Sequence, residues 1–503
     1  MTGTLDLPGV LGAPDDICLD DFRGRRSWRD FDGDVRRLMA VLADHGVRAG
    51  DTVALLMHNR VEYLETVFAC TALGVTCVPM NWHMAAEEIA YVLADSGALV
   101  VVCDDVCRDL VPSGGPAVVS VDGEAGERIR TGAAMDVAPD NPAGKIMFYT
   151  SGTTGRPKGV RLDGGGSVAD EFAEYRRLAS GSGVEGAGPH LVTGPLYHGA
   201  PLMSALLALA AGAPVLIMTR WDAEAFLAHV QEHRVRDTHL VPIMFVRLLR
   251  LPKDVRNRYD LSSLVTVHHG AAPVPIPVKH QMIEWFGPVL REYWASTEGG
   301  TYTEVTSAEW LRRPGTVGRP INGYEVFAVD DSGTPLPPGQ PGTLCLRAPD
   351  GGGFRYHGDA AKTAATFSDT LTFSIGDIGY VDEDGYVFLV DRTAEVIISG
   401  GVNIYPAEIE LCLLEHEAVA DAAVYSLPDD EWGETVHAAV VLADPAQSGS
   451  HDRVVEETLR AALAERIARF KVPRTFRFVD KLPRTDAGKL NRRHLRLGHR
   501  PSA

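Results

Sequence analysis

Residues 149–159 read Tyr149-Thr150-Ser151-Gly152-Thr153-Thr154-Gly155-Arg156-Pro157-Lys158-Gly159, a short segment of hydroxyls, glycines and two cations. The apolar run from Lys145 to Tyr149 precedes it and predicts a buried strand. Because glycine has no Cβ, backbone N–H groups can crowd an anion there, and the hydroxyls and Lys158 add further donors. The segment therefore predicts a phosphate-binding loop, with a plain flexible turn as the alternative. It is not a Walker motif, because Gly159 stands where that motif has Ser or Thr.

Length and composition limit the classes of protein that remain. A chain of 503 residues is too long for one hydrophobic core, so we expect two or more domains. The formal net charge of −19 argues against a nucleic-acid partner, whose phosphates it would repel. The seven cysteines are odd in number and scattered, which argues against a disulfide framework. Cys103 and Cys107 have no His or Cys close by in the sequence and do not predict a metal site.

The N-terminus and the most apolar stretch of the sequence do not predict a membrane segment. The N-terminus lacks a basic cluster followed by an apolar run, so no signal peptide is expected. The most apolar stretch, residues 201–218, is interrupted by Gly212 and Pro214 and predicts a core helix and strand. We therefore expect a cytoplasmic protein without membrane insertion.

Apolar periodicity predicts the fold class. Helix and strand patterns alternate from Trp28 to Trp294, which predicts parallel sheets with helices on their faces. From about residue 315 to 390, short strand patterns separated by turns predict a β-rich subdomain. The remaining residues predict a compact α+β unit of about 110 residues. The expected fold is α/β, with a large N-terminal domain over residues 1–391 and a small mobile C-terminal domain over residues 392–503.

Further motifs follow the glycine-rich loop in a fixed order. They are Pro195-Leu196-Tyr197-His198, His269-Gly270-Ala271-Ala272-Pro273, Trp294-Ala295-Ser296-Thr297-Glu298, Gly376-Asp377, Asp391-Arg392, Ser399-Gly400-Gly401 and Asp486-Ala487-Gly488-Lys489. A Thr hydroxyl beside a carboxylate, as at Thr297 and Glu298, suits a phosphate and its metal ion. Taken singly, most of these are ordinary turns and strand ends.

As an ordered set, these motifs resemble the adenylate-forming superfamily, which includes acyl-CoA synthetases, adenylation domains of peptide synthetases, and luciferases. The resemblance runs from about Trp28 to Arg493 and is closest to fatty-acid-type acyl-CoA ligases. It implies ATP, Mg²⁺ and coenzyme A as cofactors. The residues implied to bind ATP or AMP are Thr150, Ser151, Gly152, Thr153, Thr154, Gly155, Lys158, Gly270, Ala271, Ala272, Trp294, Asp377 and Arg392. Glu298 and Thr154 are implied to hold the metal ion.

The resemblance also implies catalytic and substrate-binding roles. The catalytic residues are Lys489, Thr297, Glu298 and His198. Coenzyme A is implied to bind at Gly400, Gly401, Trp432, Phe470 and Lys471, and the acyl group at His198, Met203, Ile243, Ala295 and Gly300. The chain departs from the family pattern at Ala295, where the family has Gly, and at the hinge position Ala394, where it has Asp or Lys.

These roles imply a ligase that forms an acyl-adenylate and then an acyl-CoA from a carboxylic acid. Because Lys489 and Gly401 serve different steps from one domain, we expect that domain to rotate about a hinge at Arg392 and Ala394. The predicted acyl residues are apolar or small, which favours a hydrophobic acid, fatty or cyclic. A stand-alone adenylation enzyme that loads carrier-protein pantetheine, an enzyme of one half-reaction, and a non-catalytic nucleotide sensor are the alternatives. The oligomeric state stays open, a homodimer included.

Overall fold

The structure is a computed structural model of the chain. It describes residues 14–150, 157–162, 164–184, 188–349, 353–392, 395–399, 402–429, 432–444, 452–484 and 490–497.

The first part of the chain alternates short strands with helices. Its elements are β1 (Ile17–Asp20), β2 (Arg25–Ser27), α1 (Trp28–Asp44), β3 (Thr52–Leu56), α2 (Val61–Leu73), β4 (Thr76–Pro79), α3 (Ala86–Ser96), β5 (Val100–Cys103), α4 (Asp105–Arg108), β6 (Ala117–Ser120) and α5 (Glu124–Thr131). The sequence-predicted helix from Trp28 is confirmed. It begins there because the Ser27 hydroxyl accepts from the Asp30 N–H while the Asp30 carboxylate accepts from the Ser27 N–H.

The middle of the chain continues the alternation and ends in a hairpin. Its elements are β7 (Phe148–Thr150), β8 (Lys158–Leu162), α6 (Val168–Ser182), β9 (His190–Val192), α7 (Gly199–Ala210), β10 (Val215–Ile217), α8 (Ala223–His233), β11 (Asp237–Leu240), α9 (Pro242–Leu249), α10 (Lys253–Arg256), β12 (Thr266–His269), α11 (Ile276–Phe286), β13 (Leu290–Ser296), β14 (Gly300–Thr306) and α12 (Ser307–Arg312).

The last part is richer in strands. Its elements are β15 (Arg319–Pro320), β16 (Glu325–Val329), β17 (Gly342–Arg347), β18 (Phe354–Tyr356), α13 (Ala360–Thr366), β19 (Thr372–Phe373), β20 (Asp377–Val381), β21 (Val387–Arg392), β22 (Ile397–Ser399), β23 (Val402–Ile404), α14 (Pro406–Leu414), β24 (Val419–Asp429), β25 (Gly433–Leu442), α15 (Asp452–Arg466), the short 3₁₀ helix Arg469–Lys471, β26 (Thr475–Phe478) and α16 (Arg492–Leu497).

The strand before the glycine-rich loop differs from its prediction. We expected a buried strand from Lys145 to Tyr149, but β7 begins at Phe148 and is half-buried. Residues before it bridge to the end of another sheet: the Cys77 N–H donates to the Lys145 carbonyl and the Met147 N–H donates to the Cys77 carbonyl, both at 2.8 Å. An apolar run alone does not show whether its backbone groups pair with one neighbouring strand or with two different strands.

Within the described residues, the largest sheet has the strand order β15-β14-β13-β12-β11-β9-β10-β1-β2. The strands from β13 to β1 are parallel, and antiparallel strands flank them at both edges. In a parallel sheet the carboxyl ends of all strands meet at one edge. The segments that follow β9, β11, β12 and β13, which carry three of the predicted site motifs and Ile243, therefore lie at the same edge.

Helices cover both faces of this sheet and divide its core in two. On one face, Val192 packs with Leu202 and Leu206 of α7. On the other face, Leu191 and Leu240 pack in a second core with residues of α8, α9 and α11. Since successive strand residues point to opposite faces, the residues on each face follow from register alone.

The smaller sheets agree with the strand and helix patterns predicted for their parts of the chain. β4-β3-β5-β6 is parallel throughout, as the helix–strand alternation predicts. The expected β-rich region is an antiparallel sheet of β16, β17, β19, β20 and β21, and β18, β8 and β7 form a separate antiparallel sheet. β22 to β26 form a further sheet that shares its own hydrophobic core with α14 and α15. The predicted α/β fold class is confirmed.

No helix in the described part of the chain has both the length and the apolar character needed to cross a bilayer.

A buried ion pair joins α11 to β13, next to the predicted site motif on that strand. The Lys279 ammonium donates to the Glu292 carboxylate, and neither residue is more than 5% exposed. Lys279 Nζ also lies 4.6 Å from the centroid of the Trp310 ring. Burial lowers the pKa of Lys279 and raises the pKa of Glu292, in each case against their mutual attraction. Each charge thus depends on the other for its burial.

We predict that Lys279→Met destabilises the chain by about 3–5 kcal/mol, because it leaves the Glu292 carboxylate buried and unpaired. The double variant K279M/E292M should recover most of that loss. Urea midpoints, compared with the exposed control Lys253→Met, measure both effects. Equal losses in K279M and in the double variant would show that the pair is not what Lys279 contributes.

Candidate active site

The hairpin of β7 and β8 supports the predicted phosphate loop. Thr150 ends β7 and pairs with Lys158, which begins β8. Both predicted ATP-binding residues that flank the loop are therefore neighbours across an antiparallel ladder. The other residues predicted for this loop lie outside the described residues: Ser151, Gly152, Thr153, Thr154 and Gly155.

Lys158 is already engaged in a chain of contacts that the sequence did not reveal. Its ammonium donates to Asp359 Oδ2 at 2.6 Å, and Asp359 also accepts from the Lys362 N–H at the start of α13. The Lys362 ammonium lies 3.7 Å from the centroid of the Tyr356 ring. The Tyr356 hydroxyl in turn donates to Glu298 Oε1 at 2.9 Å. The predicted phosphate-binding lysine and the predicted metal-binding carboxylate thus belong to one connected polar cluster.

The pKa directions in this cluster follow its packing. The bond from Lys158 lowers the pKa of Asp359, so that carboxylate stays ionised. Burial raises the pKa of the Tyr356 phenol, and the Glu298 charge adds to the effect. Burial lowers the pKa of Lys362, and the nearby Lys158 charge acts in the same direction. Cations crowded against one another in this way favour an incoming anion such as a phosphate.

Thr297 and Glu298 lie in the turn between β13 and β14. The Ser296 hydroxyl organises this turn: it accepts from the Glu298 N–H at 3.0 Å and contacts the Tyr302 hydroxyl at 2.6 Å. The antiparallel pairing places Gly300 opposite Ser296 and Thr301 opposite Ala295. The hairpin therefore brings Ala295 and Gly300, both predicted to line the acyl pocket, close to Thr297 and Glu298.

Asp377, predicted to bind ribose, has a partner within the protein. Its Oδ2 accepts from the Trp294 indole at 2.7 Å, and Trp294 itself is buried against Tyr302. The register of β20 and β21 places Arg392 opposite Asp377. The structure thus brings together three of the predicted nucleotide residues, Trp294, Asp377 and Arg392, from distant parts of the chain.

The end of β12 carries the predicted adenine segment in an unusual backbone conformation. A Cβ on Gly270 would lie 2.8 Å from the Tyr293 ring and carbonyl, so glycine is required there by close packing. Ala271 has φ +66°, in the left-handed region that alanine rarely occupies. Ala272 has no such strain. Backbone strain of this kind concentrates at ligand-binding sites.

We predict that Ala271→Gly stabilises the chain by about 1 kcal/mol, because glycine avoids the left-handed cost of an L-residue. The matched change Ala272→Gly, at a position of ordinary φ, should not stabilise it. Thermal melts of both variants without nucleotide measure the difference. If A271G melts no higher than wild type, the strain is absent.

The face of the large sheet under α7 carries polar side chains that sequence reasoning missed. His239 of β11 and Tyr293 of β13 meet across β12, with 2.7 Å between His239 Nε2 and the Tyr293 hydroxyl. His190, Asp237 and His268 line the same face by register. Burial lowers the pKa of His239 to about 3 and that of His268 to about 4, so both rings are neutral at pH 7.

This row of polar side chains lies on the sheet face that also carries residues predicted for the acyl pocket. Ala295 and Tyr293 point to the same face because they are two residues apart on β13. His198 directly precedes α7, and Met203 of α7 packs against the core on this face. Ile243 packs against the core of the opposite face, apart from Met203. An alternating strand pattern marks His239 and Tyr293 as co-facial, but only the strand order makes them neighbours.

Described residues on either side of two C-terminal motifs pair with each other. Ser399 pairs with Val402, and Arg484 bridges Leu490. The residues these pairs enclose, Gly400, Gly401 and Lys489 among them, lie outside the described residues, as does Ala394. Trp432 and Phe470, predicted to contact coenzyme A, are 44% and 55% exposed. Lys471 is bound to the Glu408 carboxylate, with its Nζ 2.8 and 2.7 Å from the two oxygens.

Among the described residues, a side chain at the end of α9 contacts the C-terminal part. Arg250, at the end of α9, donates to the carbonyls of Val419 and Ala420. The adjacent Asp421 accepts two bonds from Arg484 at 2.7 Å each. The strand β24 is thereby attached on one side to α9 and on the other to the segment that leads towards Lys489.

Comparison with known families fits this geometry. The model for AMP-binding enzymes matches residues 10–353, and the model for their C-terminal domain matches residues 408–489. The chain belongs to the AMP-binding enzyme family. The predicted membership of the adenylate-forming superfamily is confirmed, and with it the class of enzyme, an AMP-forming acid–thiol ligase.

Individual AMP-binding enzymes resemble the chain over nearly its full length. A feruloyl-CoA synthase from Amycolatopsis is 36% identical, covering 91% of this chain and 90% of the relative. A fatty acid–[acyl-carrier-protein] ligase from Streptomyces coeruleorubidus is 32% identical, with 92% and 89% covered. The o-succinylbenzoate-CoA synthetase of Bacillus subtilis, solved with its acyl-adenylate intermediate, is 28% identical with a TM-score of 0.81 and covers 96% of each chain.

Proposed function

We propose that this AMP-binding enzyme joins an aromatic carboxylic acid to coenzyme A through an acyl-adenylate. ATP and Mg²⁺ serve the first step, in which the carboxylate attacks the α-phosphate and pyrophosphate leaves. The thiol then attacks the acyl-adenylate and AMP leaves. The observation that carries the proposal is the connected cluster of Lys158, Asp359, Tyr356 and Glu298 beside the loop hairpin. Relatives that act on feruloyl, succinylbenzoyl and indoleacetyl groups support an aromatic acid.

The residues predicted to bind ATP and Mg²⁺ would act in the first step. The loop from Thr150 to Lys158 would hold the outer phosphates, and Glu298 would hold Mg²⁺ through the oxygen ligation this ion prefers. Thr297 would donate to the α-phosphate. A triphosphate competes with Asp359 for the Lys158 ammonium, so ATP binding exchanges one ion pair for another. The role of these groups is positioning and neutralisation of charge in the transition state.

The second step requires a different surface of the C-terminal part. We propose that residues 392–503 rotate as a unit about Arg392 and Ala394, so that Lys489 serves adenylation and the segment at Gly400 and Gly401 serves thioester formation. The separate sheet and core of this part support such a rotation. The few bonds from Arg250 to β24 would break as it turns.

Coenzyme A is the acceptor that the exposed aromatics favour. Trp432 is 44% exposed, and the Arg474 guanidinium lies 5.7 Å from its ring centroid. An exposed indole beside a cation suits a nucleotide, whose base stacks and whose phosphates pair with the charge. A carrier-protein pantetheine is the second candidate, because one relative is a ligase of that kind. Thioester yields with free CoA and with a holo-carrier protein distinguish the two. ATP and CoA are cytoplasmic compounds, which supports the expected location.

The acid itself we propose to be aromatic, with a hydrogen-bonding group on its ring. Tyr293 is half-buried on the α7 face, and its hydroxyl is held by the buried neutral His239. That hydroxyl retains a lone pair or proton for a substrate. A site built to bond a substrate hydroxyl also rejects acids that lack it, because its polar groups would be left unpaired.

We predict that Lys489→Ala abolishes adenylation but leaves thioester formation from supplied acyl-AMP nearly intact. The Lys489 ammonium would neutralise the negative charge that develops in the transition state of adenylation, and it would have no such role in thioester formation. Pyrophosphate release measures the first step, and thioester yield from acyl-AMP and CoA measures the second. Lys481→Ala, an exposed lysine nearby, is the control. Equal loss of both steps would contradict the division of roles.

We predict that Tyr293→Phe raises KM for ring-hydroxylated acids by about threefold to tenfold, which corresponds to one lost hydrogen bond of 0.5–1.5 kcal/mol. KM for the matching acid without the ring hydroxyl should change little. Initial rates of AMP formation on paired cinnamic-type acids measure both, with the surface change Tyr259→Phe as control. A uniform KM change across both acids would mean that Tyr293 only shapes the pocket.

A further inference from the structure

One face of α8 carries three side chains that can bind metal and that the ligase reaction does not use. They occur in the sequence His229-Val230-Gln231-Glu232-His233. Residues three and four apart in a helix are neighbours on its surface, so His229 faces both Glu232 and His233. One ligand atom from each of the three lies within 4.8 Å of the others. Two histidines four apart on a helix are a recurrent zinc-binding arrangement.

The surroundings leave this face open to an ion. A cavity of about 490 Å³ adjoins it, lined on the other side by Phe22 and Arg23 of the turn between β1 and β2 and by Arg25 at the start of β2. The Phe22 ring stacks on His229 with 4.2 Å between ring centroids and 17° between planes. Phe22 takes φ +62°, a strained conformation for this residue type. The stack fixes the His229 ring while the His233 side chain remains 22% and Glu232 71% exposed.

Hydrogen bonding within the described part of the chain leaves a buried imidazole nitrogen of this face unsatisfied. His229 Nδ1 is shielded from solvent and has no hydrogen-bond partner among the described residues. The nearest approach is 3.9 Å, between His233 Nε2 and Glu232 Oε2. The carboxylate of Asp20 beside them is already occupied, since it accepts from Phe22 N–H and from Arg25 Nε, both at 2.8 Å. Asp20 therefore offsets the Arg25 charge and leaves the imidazoles free for an ion.

A second group of metal-capable residues, His58, Asp104 and Cys107, differs in this respect. Asp104 Oδ2 accepts from the His58 N–H at 3.0 Å and contacts its Nδ1 at 2.7 Å, while Oδ1 accepts from the Cys107 N–H at 2.8 Å. This cluster satisfies its own polar atoms and is closed to solvent at Asp104 and Cys107. It needs no ion.

We propose that His229, His233 and Glu232 form a binding site for a divalent transition-metal ion of the Zn²⁺ type, with water from the adjacent cavity completing its coordination. Imidazole donors favour Zn²⁺, Co²⁺, Ni²⁺ and Cu²⁺ over Mg²⁺. The site is thus chemically distinct from an oxygen-liganded Mg²⁺ at Glu298. Its three protein ligands all come from α8 and none belongs to the predicted ligase site, so we expect the ion to stabilise that helix.

Co²⁺ is the probe of choice, because its visible absorption reports ligand type and geometry. The full-length chain, stripped with a chelator and kept at a low fixed Mg²⁺ concentration, is titrated with CoCl₂. We expect one Co²⁺ per chain, without the near-ultraviolet band of a thiolate ligand. His229→Gln and His233→Gln should each weaken the affinity by at least about tenfold. Zn²⁺ should displace Co²⁺ and raise the melting temperature of wild type but not of H233Q.

Control variants separate the outcomes. His45→Gln, a remote exposed histidine, and Cys107→Ser should both bind Co²⁺ like wild type. A thiolate band that disappears in C107S would assign binding to the His58 cluster and overturn the proposal. Unchanged affinity in H229Q and H233Q, or no saturable binding, would overturn it as well. Because His233 is partly exposed, H233Q is the variant expected to fold normally, which circular dichroism verifies.

Discussion

The whole site depends on the parallel register of β9, β11, β12 and β13. Parallel pairing aligns the carboxyl ends of these strands, so that four chain segments far apart in sequence end at one edge. The same register sets His239 and Tyr293 on one face, two strands apart and in contact. A slip of one residue in β13 would turn Tyr293 to the opposite face and bring Glu292, with its buried charge, under α7.

Buried and half-buried polar groups hold this edge in shape. The Lys279–Glu292 pair holds β13 on the side of α11, and the Asp377–Trp294 bond holds it on the side of the β-rich sheet. These contacts explain why a tryptophan serves at position 294, since its indole N–H reaches a carboxylate 83 residues further along the chain. The strand β13, which leads to Thr297 and Glu298, is therefore positioned both by a buried ion pair and by Asp377, itself a predicted nucleotide-binding residue.

In the cluster of Lys158, Asp359, Tyr356 and Glu298, the charged side chains are paired with partners within the protein. Asp359 offsets the Lys158 ammonium, and Tyr356 holds the Glu298 carboxylate. A charge that is shielded from water is costly without a partner, and these internal partners stabilise the Lys158 ammonium and the Glu298 carboxylate. In the reaction proposed above, a triphosphate and its metal ion would take the place of these partners. In that proposal Asp359 and Tyr356 are positioning residues, which would act through their contacts with Lys158 and Glu298.

The sequence by itself determined the α/β fold class, the family and the order of the motifs. Each of those depends on local chemistry: glycines beside hydroxyls, apolar periodicity, and a Thr-Glu pair after a strand. Only the tertiary structure decided that Asp359 and Tyr356 contact Lys158 and Glu298, that Asp377 is bound by Trp294, and that His239 and Tyr293 meet on the α7 face of the sheet. These contacts join residues 54 to 201 positions apart. Periodicity tells which face a side chain occupies, but strand order and register across the whole chain decide which side chains meet.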